Sequence, residues 1–137
     1  MTDVIAQFTQ VKILVVGDVM LDRYVQGAVR RISPEAPIPV VRLNHAWSAP
    51  GGAGNVAACL AGLGCQVTLL GVAGADAAGE ELQAALAAAG VAEIELTASP
   101  SGRTVVKTRV MADGAQQIVR IDDEDEPAAW AEAAAIV

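Results

Sequence analysis

Ala49-Pro50-Gly51-Gly52-Ala53-Gly54-Asn55-Val56-Ala57 places three glycines within four residues, behind a proline and ahead of an apolar run. Val56, Cys59, Leu60 and Leu63 follow at the i, i+3, i+4, i+7 spacing of one helix face. The stretch reads as a tight turn that feeds straight into a helix N-terminus. Glycine lets main-chain N–H groups approach a ligand with no Cβ in the way. First-turn N–H groups have no intrahelical partner and favour anions and polar oxygens. Asn55 adds a side chain that both donates and accepts. Two readings stay open: a seat for a hydroxylated or phosphorylated small molecule, and a plain turn that packs a helix on a sheet.

On the N-terminal side, Val11-Lys12-Ile13-Leu14-Val15-Val16-Gly17 is a continuous apolar run, the pattern of a strand buried on both faces. Asp18 and Asp22 follow its carboxyl end, where ligands bind in open α/β sheets. Both are candidates for recognition or chemistry, although for Asp18 a turn residue closing the strand is the plainer reading. On the C-terminal side, Gln66-Val67-Thr68-Leu69-Leu70-Gly71-Val72 reads as a second buried strand. Asp76 is placed to cap a helix, with Glu80 and Glu81 suiting its positive end. Leu82, Ala85, Leu86 and Ala89 give that helix its apolar face, and Gly90 stops it. Residues 91–96 make a third, weaker strand. Strands alternating with helices predict a largely parallel α/β sheet.

Two segments differ in kind. Residues 24–47 hold three prolines, at 34, 37 and 39, and so read as loop or edge strand, with short exposed strands at 25–29 and 38–43. His45, the only histidine, reads as a solvent-facing loop residue rather than a general base. In residues 102–122, Arg103, Lys107 and Arg109 share one parity while Thr104, Val106, Thr108 and Val110 share the other, as in a strand. Ala112-Asp113-Gly114-Ala115 supplies the turn of a hairpin. A charged strand face is ordinarily just solvated. Residues 1–10 read as a short helical lead-in. After an acidic run at 122–126, Pro127 suits the start of a further helix. With no stop signal after it, the chain reads as a fragment of a longer protein.

The chain of 137 residues carries a net charge of −7, which argues against a nucleic-acid binder. Hydrophobic residues at 53% suffice for a core, and aromatics at 3% make it one of Ala, Val and Leu. No Lys or Arg lies between Leu43 and Gly102, so the nine cations come from two separated segments. If these meet, an acidic protein gains a local basic site for an anionic substrate. Cys59 and Cys65 have no metal-type partners and read as buried reduced thiols. Neither a leader nor an apolar run of about 20 residues is present, so no membrane contact is expected and a cytoplasmic location is the default.

Gly51-Gly52-Ala53-Gly54-Asn55, with Ala57, Gly64, Gly74-x-Asp76-x-x-Gly79, Leu86 and Gly90-Val91 beyond, resembles the N-terminal signature of the PfkB/ribokinase family of carbohydrate kinases. Residues 17–24, 31–40 and 50–57 resemble the bacterial D-glycero-β-D-manno-heptose-7-phosphate kinase branch, and the likeness runs from about Val11 to about Glu126. It implies a ribokinase-like α/β fold: a Rossmann-type, mostly parallel sheet flanked by helices, with a small β-sheet lid from residues 24–46 and 102–122. Residues 1–137 would be the N-terminal part of the kinase domain. By the same resemblance Asp22 would bind sugar hydroxyls, Gly51 and Gly52 would contact the sugar through their backbone, and Asn55 would add a polar contact. Asp18 stands beside them, and Lys107, Arg109 and Arg103 would suit the phosphate of a sugar-phosphate substrate. The complete enzyme would use ATP and Mg2+ and dimerise through the lid. The family's Gly-Ala-Gly-Asp motif, with its catalytic base and anion hole, is not found in residues 1–137. The base is therefore expected beyond Val137, with no metal site, tight ATP binding or kinase activity in this piece alone.

Alternatives are a ribokinase- or fructokinase-like enzyme and a non-catalytic binding or dimerising module. Gly52-Ala53-Gly54-Asn55-Val56-Ala57 also fits the G-x-G-x-x-A of dinucleotide-binding folds. Against that reading, Ser48 and Pro50 stand where a strand should, and no acid closes the second strand.

Overall fold

A computed structural model describes residues 5–99, 102–112 and 116–125. A 3-10 helix (Gln7–Gln10) precedes β1 (Lys12–Val16), β2 (Val19–Ile32), β3 (Pro39–Gly52) and α1 (Ala53–Gly62). Then come β4 (Gln66–Gly74), α2 (Ala77–Ala88), β5 (Glu93–Ser99), β6 (Val106–Ala112) and β7 (Gln116–Asp123). The described strands form two sheets, in the orders β1-β4-β5 and β3-β2-β6-β7.

The first sheet is wholly parallel, with Val15 beside Leu69 and Leu69 beside Ile94. Both helices lie on the face that carries Val67 and Leu69. Ala57 of α1 and Leu82 and Leu86 of α2 are fully buried against it, with Ile13, Val15, Ile94 and Leu96 packed around them. The opposite face is open. Leu14 and Val16 are 59% and 52% exposed there, so β1 is not the doubly buried strand its apolar run predicts. It buries alternate residues only, because no element described here covers its second side.

Helix α2 follows its sequence pattern. Asp76 caps it by accepting the Gly79 N–H at 2.8 Å, and Leu82 and Leu86 form the buried stripe. Helix α1 departs from its pattern. Gly54 and Ala57 are buried, whereas Val56 and Leu63 are half exposed and Cys59 is exposed. The phase of α1 is set by the Gly51-Gly52 turn that launches it, and that turn aims the small residues at the sheet, where they allow close approach. Cys65 alone is the buried thiol expected of both cysteines.

The second sheet joins the two unusual segments, with β2 parallel to β6 and both outer pairs antiparallel. Its strands are longer than expected: β2 and β3 are 14 residues each, with irregularities at Gln26/Gly27 and Val29/Arg31. Pro39 and Pro50 both sit in β3, an edge strand, where a missing N–H is tolerated. His45 is therefore a strand residue and not a loop residue. A strand does run directly into the glycines, but it is an antiparallel edge strand of the second sheet and not the parallel-sheet strand that a dinucleotide motif follows. The lead-in over residues 1–4, the hairpin turn at 113–115 and the helix after Pro127 lie outside the described residues. No helix among the described residues is long and apolar enough to cross a membrane.

Candidate functional site

Strand alternation turns Val19 and Leu21 of β2 into the core and Met20, Asp22, Tyr24 and Gln26 to the other face. Register then assembles that face. Gly51, Ala49, Trp47 and His45 of β3 stand opposite these four residues, and Lys107 and Arg109 of β6 stand beside Asp22 and Tyr24. Asp122 and Arg120 of β7 lie beyond, opposite Lys107 and Arg109.

Arg109 Nη1 donates to Asp22 Oδ1 at 2.7 Å, and both side chains are mostly buried. The hydrogen bond to Asp22 holds the Arg109 pKa above the ordinary guanidinium range. The same guanidinium lies over the Tyr24 ring, 5.3 Å from its centre, a cation–π placement. Tyr24 stacks on Trp47 at 5.0 Å, and His45 stacks on Trp47 at 5.1 Å. Lys107 Nζ donates to Glu124 Oε2 at 2.9 Å and Asp122 Oδ2 at 3.3 Å, and its pKa is raised chiefly by the Glu124 bond. Arg120 forks onto Asp122 at 2.8 and 2.9 Å. Both cationic segments contribute to this one sheet, but Lys107, Arg109 and Arg120 come from the second segment alone, and each of the three holds a carboxylate. An incoming phosphate would exchange partners here and not enter a field of bare positive charge.

The glycine turn borders this face. Gly52 has φ 56° and ψ −132°, a conformation open to glycine, and a Cβ there would strike the Asp18 carbonyl. That carbonyl accepts the Ala53 N–H at 2.8 Å, so Asp18 acts on the turn through its main chain. A Cβ at Gly51 would sit 2.9 Å from Asp22 Oδ2, so the Gly51 backbone abuts the carboxylate. No side chain caps α1, and Asn55 is exposed on its first turn, its Oδ1 3.9 Å from Cys59 Sγ. Asp22, Lys107, Arg109 and Gly51 are thereby gathered on one face, with Gly52, Asn55 and Asp18 at its border.

Arg103 is placed elsewhere. Its backbone N–H and Nε donate to Asp125 at 2.6 and 3.1 Å, and its Nη1 reaches Asp123 at 2.8 Å. Asp123 pairs with Val106, on the side of the sheet away from Lys107.

Tyr24, Trp47, His45 and Arg120 were not singled out from the sequence as site residues. Continuing the parity of Asp22 along β2, and of Gly51 back along β3, would have found the three aromatics. On the reverse face, Glu81 of α2 accepts from Arg23 and Ser48, each at 2.5 Å, and these bonds lower its pKa. Among the described residues no group of three or more His, Cys, Asp and Glu side chains is arranged to hold a metal ion.

The model of the pfkB family of carbohydrate kinases matches residues 10–136. The bifunctional protein HldE of Nitrosococcus oceani is 48% identical over 126 residues, covering 92% of this chain and 26% of that protein. HldE of Pseudomonas aeruginosa is 51% identical over 119 residues, covering 87% and 25%. The chain therefore spans about a quarter of the length of the curated relatives it matches. A carbohydrate kinase from Agrobacterium tumefaciens has the same fold at TM-score 0.66 and 26% identity, over 82% of this chain and 35% of that one. The fold is ribokinase-like α/β, and the chain belongs to the pfkB family of carbohydrate kinases.

Proposed function

We propose that residues 1–137 supply the sugar-binding part of an ATP-dependent kinase acting on D-glycero-D-manno-heptose 7-phosphate to give the 1,7-bisphosphate, for lipopolysaccharide core synthesis. The observation that carries this reading is the single face shared by Asp22, Lys107 and Arg109, beside the Gly51-Gly52 backbone. A carboxylate accepts sugar hydroxyls, and neighbouring cations suit a substrate that already carries a phosphate. The likeness to two HldE proteins supports the same reading.

In this proposal the second sheet is the lid over the sugar, and Asn55 adds a polar contact from α1. Arg103, tied to Asp123 and Asp125, has the weakest claim on the substrate. The family implies ATP, which supplies the phosphoryl group. No step through nucleotide or magnesium is assigned to the described residues. What they do is bind and orient the sugar. The second sheet leaves Leu43 and Ile121 exposed, and we propose it also as the homodimer surface, to be tested by sedimentation.

The test uses the protein that contains this chain, with ATP, magnesium and a panel of sugars. Heptose 7-phosphate should be phosphorylated with a far higher kcat/KM than ribose, fructose or unphosphorylated heptose. Equal or better use of a neutral sugar would overturn the assignment in favour of a ribokinase- or fructokinase-like enzyme.

A further inference from the structure

Gly74-x-Asp76-x-x-Gly79 lies off the sugar face, where β4 ends and α2 begins. Capping α2 needs only the bond from Gly79 N–H to Asp76 Oδ1. Asp76 does more. Its Oδ1 also accepts from Thr104 Oγ1 at 2.7 Å, and its Oδ2 accepts from the Thr104 N–H at 2.9 Å. The Thr104 hydroxyl in turn accepts from the Gly74 N–H at 3.0 Å. Thr104 is 2% exposed, so these bonds face little competition from water.

The glycines fit the same contact. A Cβ at Gly74 would lie 2.5 Å from the Thr104 nitrogen, and one at Gly79 would strike the Gly74 carbonyl. Ser99, also buried, accepts the Gly102 N–H at 2.9 Å and ties down the connection from β5. Everything in the motif converges on one point of the chain, just before β6. Immediately afterwards the Val105 carbonyl accepts the Leu21 N–H at 2.8 Å, and Val106 pairs with Leu21. Lys107 and Arg109 follow beside Asp22 and Tyr24. A one-residue slip here would send both cations to the opposite side of the sheet.

We propose that the Asp76–Thr104 joint is a positioning device for substrate binding: it pins the start of β6 so that Lys107 and Arg109 stand beside Asp22. The kinetic readout rests on the sugar-kinase reading, and the exchange readout does not.

The experiment compares Thr104→Val, Thr104→Ser and Asp76→Asn in the protein that contains this chain. Valine keeps the shape of threonine and the helix cap but removes the hydroxyl. With Thr104→Val the KM for heptose 7-phosphate should rise about 10-fold or more while the KM for ATP stays within about 2-fold, and Thr104→Ser should restore most of the loss. Amide hydrogen exchange in β6 should quicken while that in β4 up to Ala73 is unchanged, Gly74 alone losing the acceptor of its own N–H. A parallel rise in both KM values, a serine variant no better than valine, or unchanged exchange in β6 would each overturn the proposal. If Thr104→Val does not fold, Asp76→Asn carries the same readings, since its amide NH2 group cannot accept from the Thr104 N–H. If the wild type phosphorylates no heptose 7-phosphate, the functional reading falls, and exchange in β6 alone decides the joint.

Discussion

Arg109 and Asp22 are 87 residues apart in sequence and 2.7 Å apart in space, joined across the parallel pair β2 and β6. The bond fixes the orientation of the Asp22 carboxylate and leaves Oδ2 beside the Gly51 backbone. Asp22→Asn should raise the sugar KM and leave ATP binding nearly unchanged. Losing a bond to a charged group costs about 1.5–3 kcal/mol, or roughly 10- to 150-fold. Unchanged sugar affinity in a titration would remove Asp22 from the site.

A double-mutant cycle should separate this pair from the exposed ones. Asp22→Asn with Arg109→Gln should show a coupling of about 1 kcal/mol or more, because both side chains are less than a quarter exposed. Arg103→Gln with Asp123→Asn should couple by no more than about 0.5 kcal/mol, since both groups are more than half exposed. Urea midpoints of the four single and two double variants decide it, and equal couplings would sink the contrast.

Stability should fall in acid through Asp76 and Glu81. Burial pushes the Asp76 pKa up, but the bonds from Thr104, Gly79 and Ala78 outweigh it and leave the pKa lowered. Glu81 is lowered by Arg23 and Ser48. A depressed carboxylate stabilises the fold above its unfolded pKa and loses that contribution as pH drops through its folded value. The loss therefore belongs below about pH 4. Thermal midpoints of wild type and Asp76→Asn, followed from pH 7 to pH 3, should converge. A constant gap across that range contradicts the linkage.

Gly52→Ala should destabilise by roughly 1–3 kcal/mol, because φ 56° strains a Cβ that also meets the Asp18 carbonyl. Gly62→Ala is the control: nothing lies within 4 Å of a Cβ there, and alanine favours the helix by up to about 1 kcal/mol. A Gly52 variant as stable as wild type would mean that the turn relaxes freely.

The open side of the parallel sheet should bind apolar dyes in the 137-residue polypeptide, since Leu14 and Val16 are exposed on adjacent outward positions of β1. Leu14→Gln with Val16→Gln should lower dye fluorescence and self-association together. No change in either would place the adhesive surface elsewhere.

Helix α2 was legible because Leu82 and Leu86 repeat cleanly behind a good cap. Helix α1 was not, because Val56, Ala57, Cys59, Leu60 and Leu63 are apolar around most of its circumference and no single phase stands out. Its orientation comes instead from the unusual backbone of Gly52. The second sheet showed in the parity of residues 103–110, yet its partner register did not. Pairing of Asp22 with Lys107 depends on a long-range fit that local alternation does not encode. The prolines at 34 and 37 marked a real break, and they also concealed that strands of 14 residues flank it. Thr104 showed only as one more residue on the uncharged face of residues 103–110, and its bond to Asp76 across 28 residues left no local mark.

The parallel pairing of β2 with β6 also sets an order of events in synthesis. Residues 21–26 leave the ribosome long before residues 106–111, so Asp22 waits for its cation until β4, α2 and β5 have been made. Closing that span from an unstructured chain is entropically costly, and the intervening βαβ unit shortens the distance its ends must search. The face that joins Asp22 to Lys107 and Arg109 is consequently among the last parts of this region to form on a growing chain, and a nascent polypeptide stalled before residue 106 holds the glycine turn and the acid without the cation that orients its carboxylate.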